Sequence, residues 1–437
     1  MVSKNAEDGF LSLRDADRVL ALILVLFSMS ILLIGYNTSF KTGLYVTIYQ
    51  ITFIVTYMVL CHKFDSSLST IVKGTILKNK LTIVVLLLYS LYLTSYLINL
   101  TAVNSETHKV AMSLRFLFLS SHIFFTYVLL CFFINTSNRI ANTFSVVPIT
   151  VIIIIICILL VYVSFDSPQI NFTITTIPFA TNIRHLGYIA TIGSIVASIK
   201  LLLLSNRTKY KLNLHMGLWS LLLALNIAFL FWLGGRASIV SYFFSLLTLT
   251  VILKFKHQLS LKTLLYLFFL ICLGIALSTV FSIYPWNGIL RVQESLQNVS
   301  DINDLSSNRL QMWQNSITYG LEKMWLGHGP DAYRFMPTKT AGVQPHNIFL
   351  QVFLEAGVLG LMVFLVILLS TLFRAISLIW ISTDMNQDES IYMAFAILVS
   401  LTIYGTLSGA YYHAQPLYFL MISFAAVGSF SIKKDIV

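Results

Sequence analysis

The run Val151-Ile152-Ile153-Ile154-Ile155-Ile156 lies inside an apolar segment that extends from about residue 147 to 164. A strand of a membrane β-barrel alternates between apolar and polar residues, whereas this run is apolar on every side. A helix can bury such a run in a bilayer, because it makes all its backbone hydrogen bonds within the segment. The run therefore predicts a transmembrane helix.

Composition extends this prediction to the whole chain. Of its 437 residues, 57% are hydrophobic and 10% charged, which leaves too little polar surface to cover a soluble globule. We predict an all-α polytopic integral membrane protein with about 12 transmembrane helices, which form a single transmembrane domain over residues 1–437. The apolar segments lie near 20–36, 42–61, 81–100, 110–134, 147–164, 186–204, 216–233, 237–253, 263–283, 347–373, 390–408 and 414–431.

Basic residues predict the orientation. The first segment follows Lys4, Arg14 and Arg18 without a small-residue cleavage signal, so we interpret it as a retained helix with a cytoplasmic N-terminus. Strict alternation then places the basic clusters and the C-terminus in the cytoplasm. Orientation and anionic lipid thus account for the net charge of +11, and we predict no nucleic-acid partner. The main clusters are Lys63 to Lys80, Lys200 to Lys211, Lys254 to Lys262, and Lys433 with Lys434.

The longest connection, residues 284–346, separates the ninth and tenth segments, and alternation places it on the outer face. Within it, Ser306-Ser307 can cap a helix. The apolar residues of that helix recur at steps of three and four, so we expect it to lie on the membrane surface or against the bundle. These residues are Leu310, Trp313, Ile317, Leu321 and Met324.

Three cationic side chains are the main candidates for a site. Arg236 follows two glycines where the eighth span begins, and its planar fork suits phosphate oxygens. Arg309 shares a helix face with Trp313, four residues on. His346 opens the tenth span, where a helix N-terminus favours anions. Each also has a structural interpretation: a snorkelling arginine, a surface arginine and a helix-capping histidine, respectively.

Further candidates are weaker. Arg184-His185 opens the sixth span and can add positive charge to the same candidate site on the outer face. Glu355 is the only acid deep in a predicted span, which makes it a functional candidate by default. It follows His346 by two and a half turns, on roughly the opposite face, so we expect Glu355 to have a structural partner instead of a catalytic role. The histidines form no i, i+4 pair backed by an acid, so we predict no metal site.

Together these residues resemble the O-antigen ligase and polymerase superfamily, membrane enzymes that move glycans from undecaprenyl diphosphate carriers. The resemblance covers roughly residues 225 to 375 and the whole topology. The motifs that carry it are Gly235-Arg236-Ala237-Ser238, Arg309 with Trp313, Gly327-His328-Gly329, and His346-Asn347 followed by Leu350, Glu355, Gly357 and Gly360.

The resemblance implies a bacterial inner-membrane glycosyltransferase whose active site faces the periplasm. Arg236, Arg309 and His346 would be catalytic, and both arginines, with Arg184 and His185, would bind the donor diphosphate. Trp313, Asn347, Glu355, Gly327 and Gly329 would support the site. Arginines can stabilise a diphosphate leaving group without a metal or other cofactor. If His346 activates the acceptor hydroxyl, direct displacement inverts the anomeric centre.

Two enzymatic functions share these motifs. A ligase transfers the finished polysaccharide to lipid A-core, whereas an O-antigen or exopolysaccharide polymerase joins one lipid-linked repeat unit to another. The layout of about twelve spans favours the ligase. A flippase for the same lipids is the alternative from another class, and it would need polar residues along a path through several spans. Glu355 alone does not make such a path, and the long connection between the ninth and tenth spans also disfavours a two-fold repeated transporter.

Overall fold

The computed structural model describes residues 13–35, 39–63, 80–136, 140–164, 179–180, 183–208, 213–257, 259–280, 309–340, 342–381 and 389–436. Ser306, Ser307 and the rest of the predicted loop before residue 309 lie outside these ranges. The described residues form α-helices, several of which are joined by short turns. In chain order the helices are α1 (Leu13–Ile34), α2 (Ser39–Lys63), α3 (Lys80–Ala102), α4 (Glu106–Thr136), α5 (Ile140–Ser164), α6 (Ile183–Thr208), α7 (Leu214–Trp232), α8 (Arg236–His257), α9 (Leu261–Val280), α10 (Arg309–Glu322), α11 (Ile348–Ile381), α12 (Glu389–Ser408) and α13 (Ala414–Ile436), with 3-10 turns at Ala332–Phe335 and Ala410–Tyr412.

Eleven of the described helices are long and apolar enough to cross a membrane, and α13 contains a shorter apolar section, Ala414–Phe430. The prediction of an all-α protein with about twelve spans is therefore confirmed, and the protein is a multi-pass membrane protein. Short turns reverse the chain between α3 and α4, α7 and α8, and α12 and α13. We call the end of the bundle where α11 begins and α12 ends the loop face.

Burial separates central from peripheral helices. Within an apolar stretch of 18 residues, 94% of the α6 residues are buried within the protein, and in the corresponding stretch of α12 the share is 72%. In α3 the share is only 11%, so most of that helix faces the surroundings of the bundle. The ends of α6 and α12 at the loop face are therefore held on several sides, and they provide a rigid support for a site there.

The tenth span is not the straight helix that hydropathy predicts. At Gly357 the backbone has φ 68° and ψ −170°, a conformation that is essentially restricted to glycine. The rings of Phe349 and Phe364 lie 6.4 Å apart, although residues 15 positions apart in a straight helix are separated by about 22 Å. The helix therefore bends sharply at Gly357.

Backbone from the long connection fills the bend. The N–H of Val358 donates to the carbonyl of Met324 at 2.8 Å, and the N–H of His328 donates to the carbonyl of Leu354 at 2.7 Å. A Cβ on Gly357 would collide with the carbonyl group of Trp325. The connection is thus docked onto α11 through main-chain contacts, which satisfy polar groups that the bend releases.

We expect Gly357→Ala to destabilise the protein by at least about 1–3 kcal/mol, because the backbone conformation is strained for alanine and Trp325 blocks the methyl group. Gly217→Ala in α7 is the matched control, since a Cβ there meets no atom within 4 Å. It should leave stability unchanged or raise it. Thermal unfolding in detergent measures both variants, and equal unfolding temperatures would contradict the prediction.

Candidate active site

The C-terminal end of α12 brings three of the candidate residues together. A helix end leaves its last carbonyl groups without partners in the helix. Here Asn347 Nδ2 donates to the carbonyl of Thr406 at 3.3 Å, a guanidinium nitrogen of Arg309 donates to the carbonyl of Leu407, and His346 Nδ1 bonds to the carbonyl of Ser408 at 3.3 Å. Residues from two separate sequence motifs therefore meet at successive carbonyl groups of one helix.

The contact with Ser408 determines the chemistry of His346. A carbonyl oxygen only accepts hydrogen bonds, so Nδ1 carries the proton and Nε2 holds the lone pair in the neutral ring. The ring is half-buried, and Nε2 faces the turn at Gly342. His346 has a φ of 53° and lies two residues before α11 begins. An imidazole held in this way can accept a proton at Nε2.

Trp313 and Asn347 fix the backbone on both sides of His346. Trp313 Nε1 donates to the carbonyl of Pro345 at 3.0 Å, which ties the residue before His346 to α10. Asn347 Oδ1 accepts from the N–H groups of Phe349 at 2.9 Å and Leu350 at 3.2 Å, and so caps α11. Trp313 and Asn347 therefore hold the chain in place on both sides of His346.

His185 and His413 lie on the other side of the same helix end. Their ring centroids are 4.7 Å apart, and Tyr188, one turn after His185, donates from its hydroxyl to the carbonyl of Ser408 at 3.3 Å. His413 Nε2 accepts from Gln344 Nε2 at 2.9 Å. Burial, with His185, His346 and Arg115 nearby, holds the pKa of His413 well below its usual value, so the ring is neutral at pH 7. The side chain of Arg184 lies outside the described part of the structure.

Arg236 is the first residue of α8 and is half-buried at the loop face. The start of α8 packs against α6, where Thr191 Oγ1 donates to the carbonyl of Ser238 at 3.5 Å. Gly187 lies at this contact, and a Cβ there would lie 2.9 Å from the Tyr404 hydroxyl. Arg236 therefore begins the helix next to the one that carries His185, at a terminus whose N–H groups favour an anion.

Glu355 has the structural partner that we predicted. It is fully buried, and its Oε1 lies 3.6 Å from Nε of Arg115 on α4. Its two oxygens also accept hydrogen bonds from the N–H of Asp331 at 3.0 Å and from the hydroxyl of Tyr92 at 3.3 Å. Gln351 donates to it as well. The carboxylate thus joins α3, α4, α11 and the connection after α10.

A second set of polar contacts holds the turn between α12 and α13. Tyr412 donates from its hydroxyl to Asp331 Oδ1 at 2.7 Å and accepts from Arg334 at 2.7 Å, while Arg334 Nε lies 2.6 Å from Asp331 Oδ2. Arg115 donates to the carbonyl of Tyr412 at 3.1 Å and lies 4.7 Å from the centroid of its ring. Burial raises the pKa of Asp331, although Arg334 opposes the shift. This cluster fixes the residue next to His413.

The predicted Gly327-His328-Gly329 motif packs against the bend. Gly327 has φ 72°, and a Cβ on it would lie 2.7 Å from the N of Gly357. His328 bonds to the carbonyl of Tyr319 at 2.7 Å and stacks on that ring. Gly329 approaches the side chain of Asn99. The motif therefore docks the connection onto α3 and α11.

The structure thus brings Arg309, His346 and Asn347 together, with His185 beside them and Arg236 on a neighbouring helix. It adds His413, Gln344, Arg115 and Tyr412, which sequence reasoning did not assign to the site. Among the described residues, no group of three histidine, cysteine or acidic side chains is arranged to hold a metal ion. Two guanidinium groups and an imidazole with a lone pair can bind an anion and accept a proton.

The O-antigen ligase family model matches residues 220–365. The match runs from α7 into α11 and contains Arg236, Arg309, Trp313, His346 and Glu355. The resemblance to the O-antigen ligase and polymerase superfamily is therefore confirmed over this region, and it supports a ligase- or polymerase-type function that acts on lipid-linked glycans. No curated protein matches the chain significantly.

Proposed function

We propose that the protein is an O-antigen ligase-type glycosyltransferase. It transfers a polysaccharide from undecaprenyl diphosphate to lipid A-core at the loop face, which is the periplasmic face of the bacterial inner membrane. The observation that carries the proposal is the meeting of Arg309 and His346 on successive carbonyl groups of α12, inside the region that matches the family.

The reaction breaks the bond between the sugar C1 and the diphosphate oxygen, and it forms a bond between C1 and the acceptor oxygen. His346 Nε2 takes the proton of the acceptor hydroxyl as that oxygen attacks. The electron pair of the broken bond goes to the diphosphate. Attack from the face opposite the leaving group inverts the anomeric configuration.

Arg236 and Arg309 bind the diphosphate and stabilise the charge that develops on it. Guanidinium forks match phosphate oxygens in pairs, and charge-assisted hydrogen bonds of this kind are about twice as strong as neutral ones. Leu407 orients the fork of Arg309 by accepting one of its N–H groups, so the remaining donors have a defined direction. His185 adds a donor near the same helix end.

Gene deletion distinguishes the two enzymatic functions. For a ligase, we expect deletion to leave lipid A-core without glycan while long chains accumulate on undecaprenyl diphosphate, as mass spectrometry of surface and membrane lipids can show. Lipid A-core that carries a single repeat unit would instead identify a polymerase. Vesicles reconstituted with the purified protein that flip the lipid-linked glycan without transferring it would refute both enzymatic functions.

We expect glycan transfer to survive EDTA, because the two arginines supply the positive charge that a metal ion would otherwise provide. Alternation places the connection between the first two apolar segments on the outer face, and its residues 36–41, of which Ser39 to Lys41 begin α2, include no acid that could bind a metal. Purified protein in vesicles would be treated with EDTA and assayed for polysaccharide transfer, with magnesium and manganese added back in parallel samples. Loss on chelation and recovery with either ion would contradict the prediction.

A further inference from the structure

The surface of α10 has three sectors with different properties. At about 100° of rotation per residue, the sectors divide the circumference into roughly equal thirds. The first is buried against the protein, the second is exposed and polar, and the third is exposed and apolar. They consist of Met312, Ser316 and Gly320; of Gln311, Thr318 and Glu322; and of Leu310, Ile317 and Leu321, respectively.

The apolar sector is substantially exposed. Leu310 is 42% exposed, Ile317 45% and Leu321 56%. The sector continues past the end of the helix to Met324, at 37%, and Trp325, at 61%. An isolated exposed leucine is ordinary, but this continuous row of large apolar side chains indicates a surface that contacts another apolar medium.

The depth of this surface follows from the bend in α11. Met324 bonds to Val358, the first residue after the bend. The segment from Val358 to Ile381 contains 24 residues, which extend over about 36 Å and suffice to cross a hydrocarbon core of about 30 Å. Trp325 therefore lies where this segment enters the membrane. Leu359 and Met362, just after the bend, are 37% and 59% exposed and continue the apolar surface.

We propose that α10 lies in the membrane interface and that its apolar sector contacts the acyl chains of the leaflet at the loop face. The polar sector faces water and the buried sector faces the protein. This position suits an amphipathic helix whose buried sector is occupied by protein, and tryptophan is enriched at this depth. The partner is thus bilayer lipid, because the sector is continuous with the exposed surface of a membrane-spanning segment.

The position has a consequence for the site. Arg309 is the first residue of α10, so a helix that contacts the leaflet holds this guanidinium beside the lipid. A lipid diphosphate can then reach Arg309 from the side while its chain stays in the leaflet. This consequence rests on the proposed function, whereas the location of α10 in the interface does not.

Spin labels on the full-length protein in lipid nanodiscs test the location. Ile317→Cys and Leu321→Cys place labels in the apolar sector, and Thr318→Cys, the matched control, places one in the polar sector. Each is made singly in a background without Cys61, Cys131, Cys157 and Cys272. We expect labels at 317 and 321 to collide more with oxygen, which concentrates in the acyl chains, than with a water-soluble nickel chelate. The label at 318 should show the reverse.

Two outcomes would overturn the proposal. If 317 and 321 are more accessible to the nickel chelate, the apolar sector faces water. If they are shielded from both reagents, protein covers the sector, either from this chain or from a second copy. None of the label accessibilities depends on enzymatic activity. A deletion strain with normal glycans would therefore refute the proposed function without affecting the test of the α10 surface.

Discussion

His346→Ala protein should fold normally and lose glycan transfer by a factor of about 10²–10⁴, the usual contribution of a general base. The imidazole Nε2 holds the lone pair because Ser408 fixes the proton on Nδ1. Alanine removes the proton acceptor and leaves the two arginines in place. Donor binding should therefore change less than the rate of transfer.

Alanine also removes a helix-capping contact, so a second variant must separate the two roles. His346→Asn retains an N–H donor at about the position of Nδ1, and asparagine tolerates the positive φ of this residue. It offers no base at the position of Nε2. We expect His346→Asn to be as stable as wild type and as inactive as His346→Ala. Retained turnover in the asparagine variant would show that His346 only caps α12.

Transfer rates would be measured with purified protein, lipid-linked polysaccharide and lipid A-core in vesicles. His62→Ala is the matched control, because His62 is an exposed histidine near the end of α2. It should transfer glycan at the wild-type rate. Equal losses in both variants would indicate a general effect of removing a histidine.

Hydropathy predicts the helices well because the bilayer requires long apolar segments whose backbone groups are satisfied internally. It cannot predict the bend at Gly357, since an apolar sequence around one glycine is compatible with a straight helix. The bend depends on Met324 and His328, which supply backbone partners from outside the helix. Sequence therefore identifies the tenth span but not its shape.

In the candidate site, too, the sequence identifies some groups and not others. Arg309 and His346 can be identified because their types and order match a known set of motifs. The groups that orient them, the carbonyls of Leu407 and Ser408, belong to the backbone and leave no signal in the sequence. Arg115 and Glu355 are 240 positions apart along the chain, so no local pattern links them. The sequence predicted that Glu355 had a partner but could not identify it.

Glu355→Ala should destabilise the protein by about 3–5 kcal/mol, the cost of removing one member of a buried ion pair. The carboxylate is fully buried with Arg115 at 3.6 Å, and alanine would leave that guanidinium without its closest anion. Asp331 and Tyr92 would also lose acceptors. The unfolding free energy would be measured by denaturant titration in detergent.

The helix that carries Arg115, α4, offers a matched control. Lys109 and Glu106 form an ion pair at 2.8 Å on α4, and the Glu106 side chain is 81% exposed. Water screens such a pair, so Glu106→Ala should change stability far less than Glu355→Ala. Similar losses in both variants would mean that burial does not govern the Glu355 effect.

A double variant tests whether the loss comes from the unpaired charge. Arg115→Met combined with Glu355→Met removes both charges and replaces them with apolar side chains of similar size, a change that is often tolerated. We expect it to be more stable than Glu355→Ala, despite the lost contact between Arg115 and Tyr412. The stability losses of Arg115→Met alone and Glu355→Met alone would also be measured. If their sum equals the loss of the double variant, the two residues are not coupled. A coupled pair would mean that the ion pair between Arg115 and Glu355 adds to the main-chain contacts that hold the connection after α10 against the membrane helices.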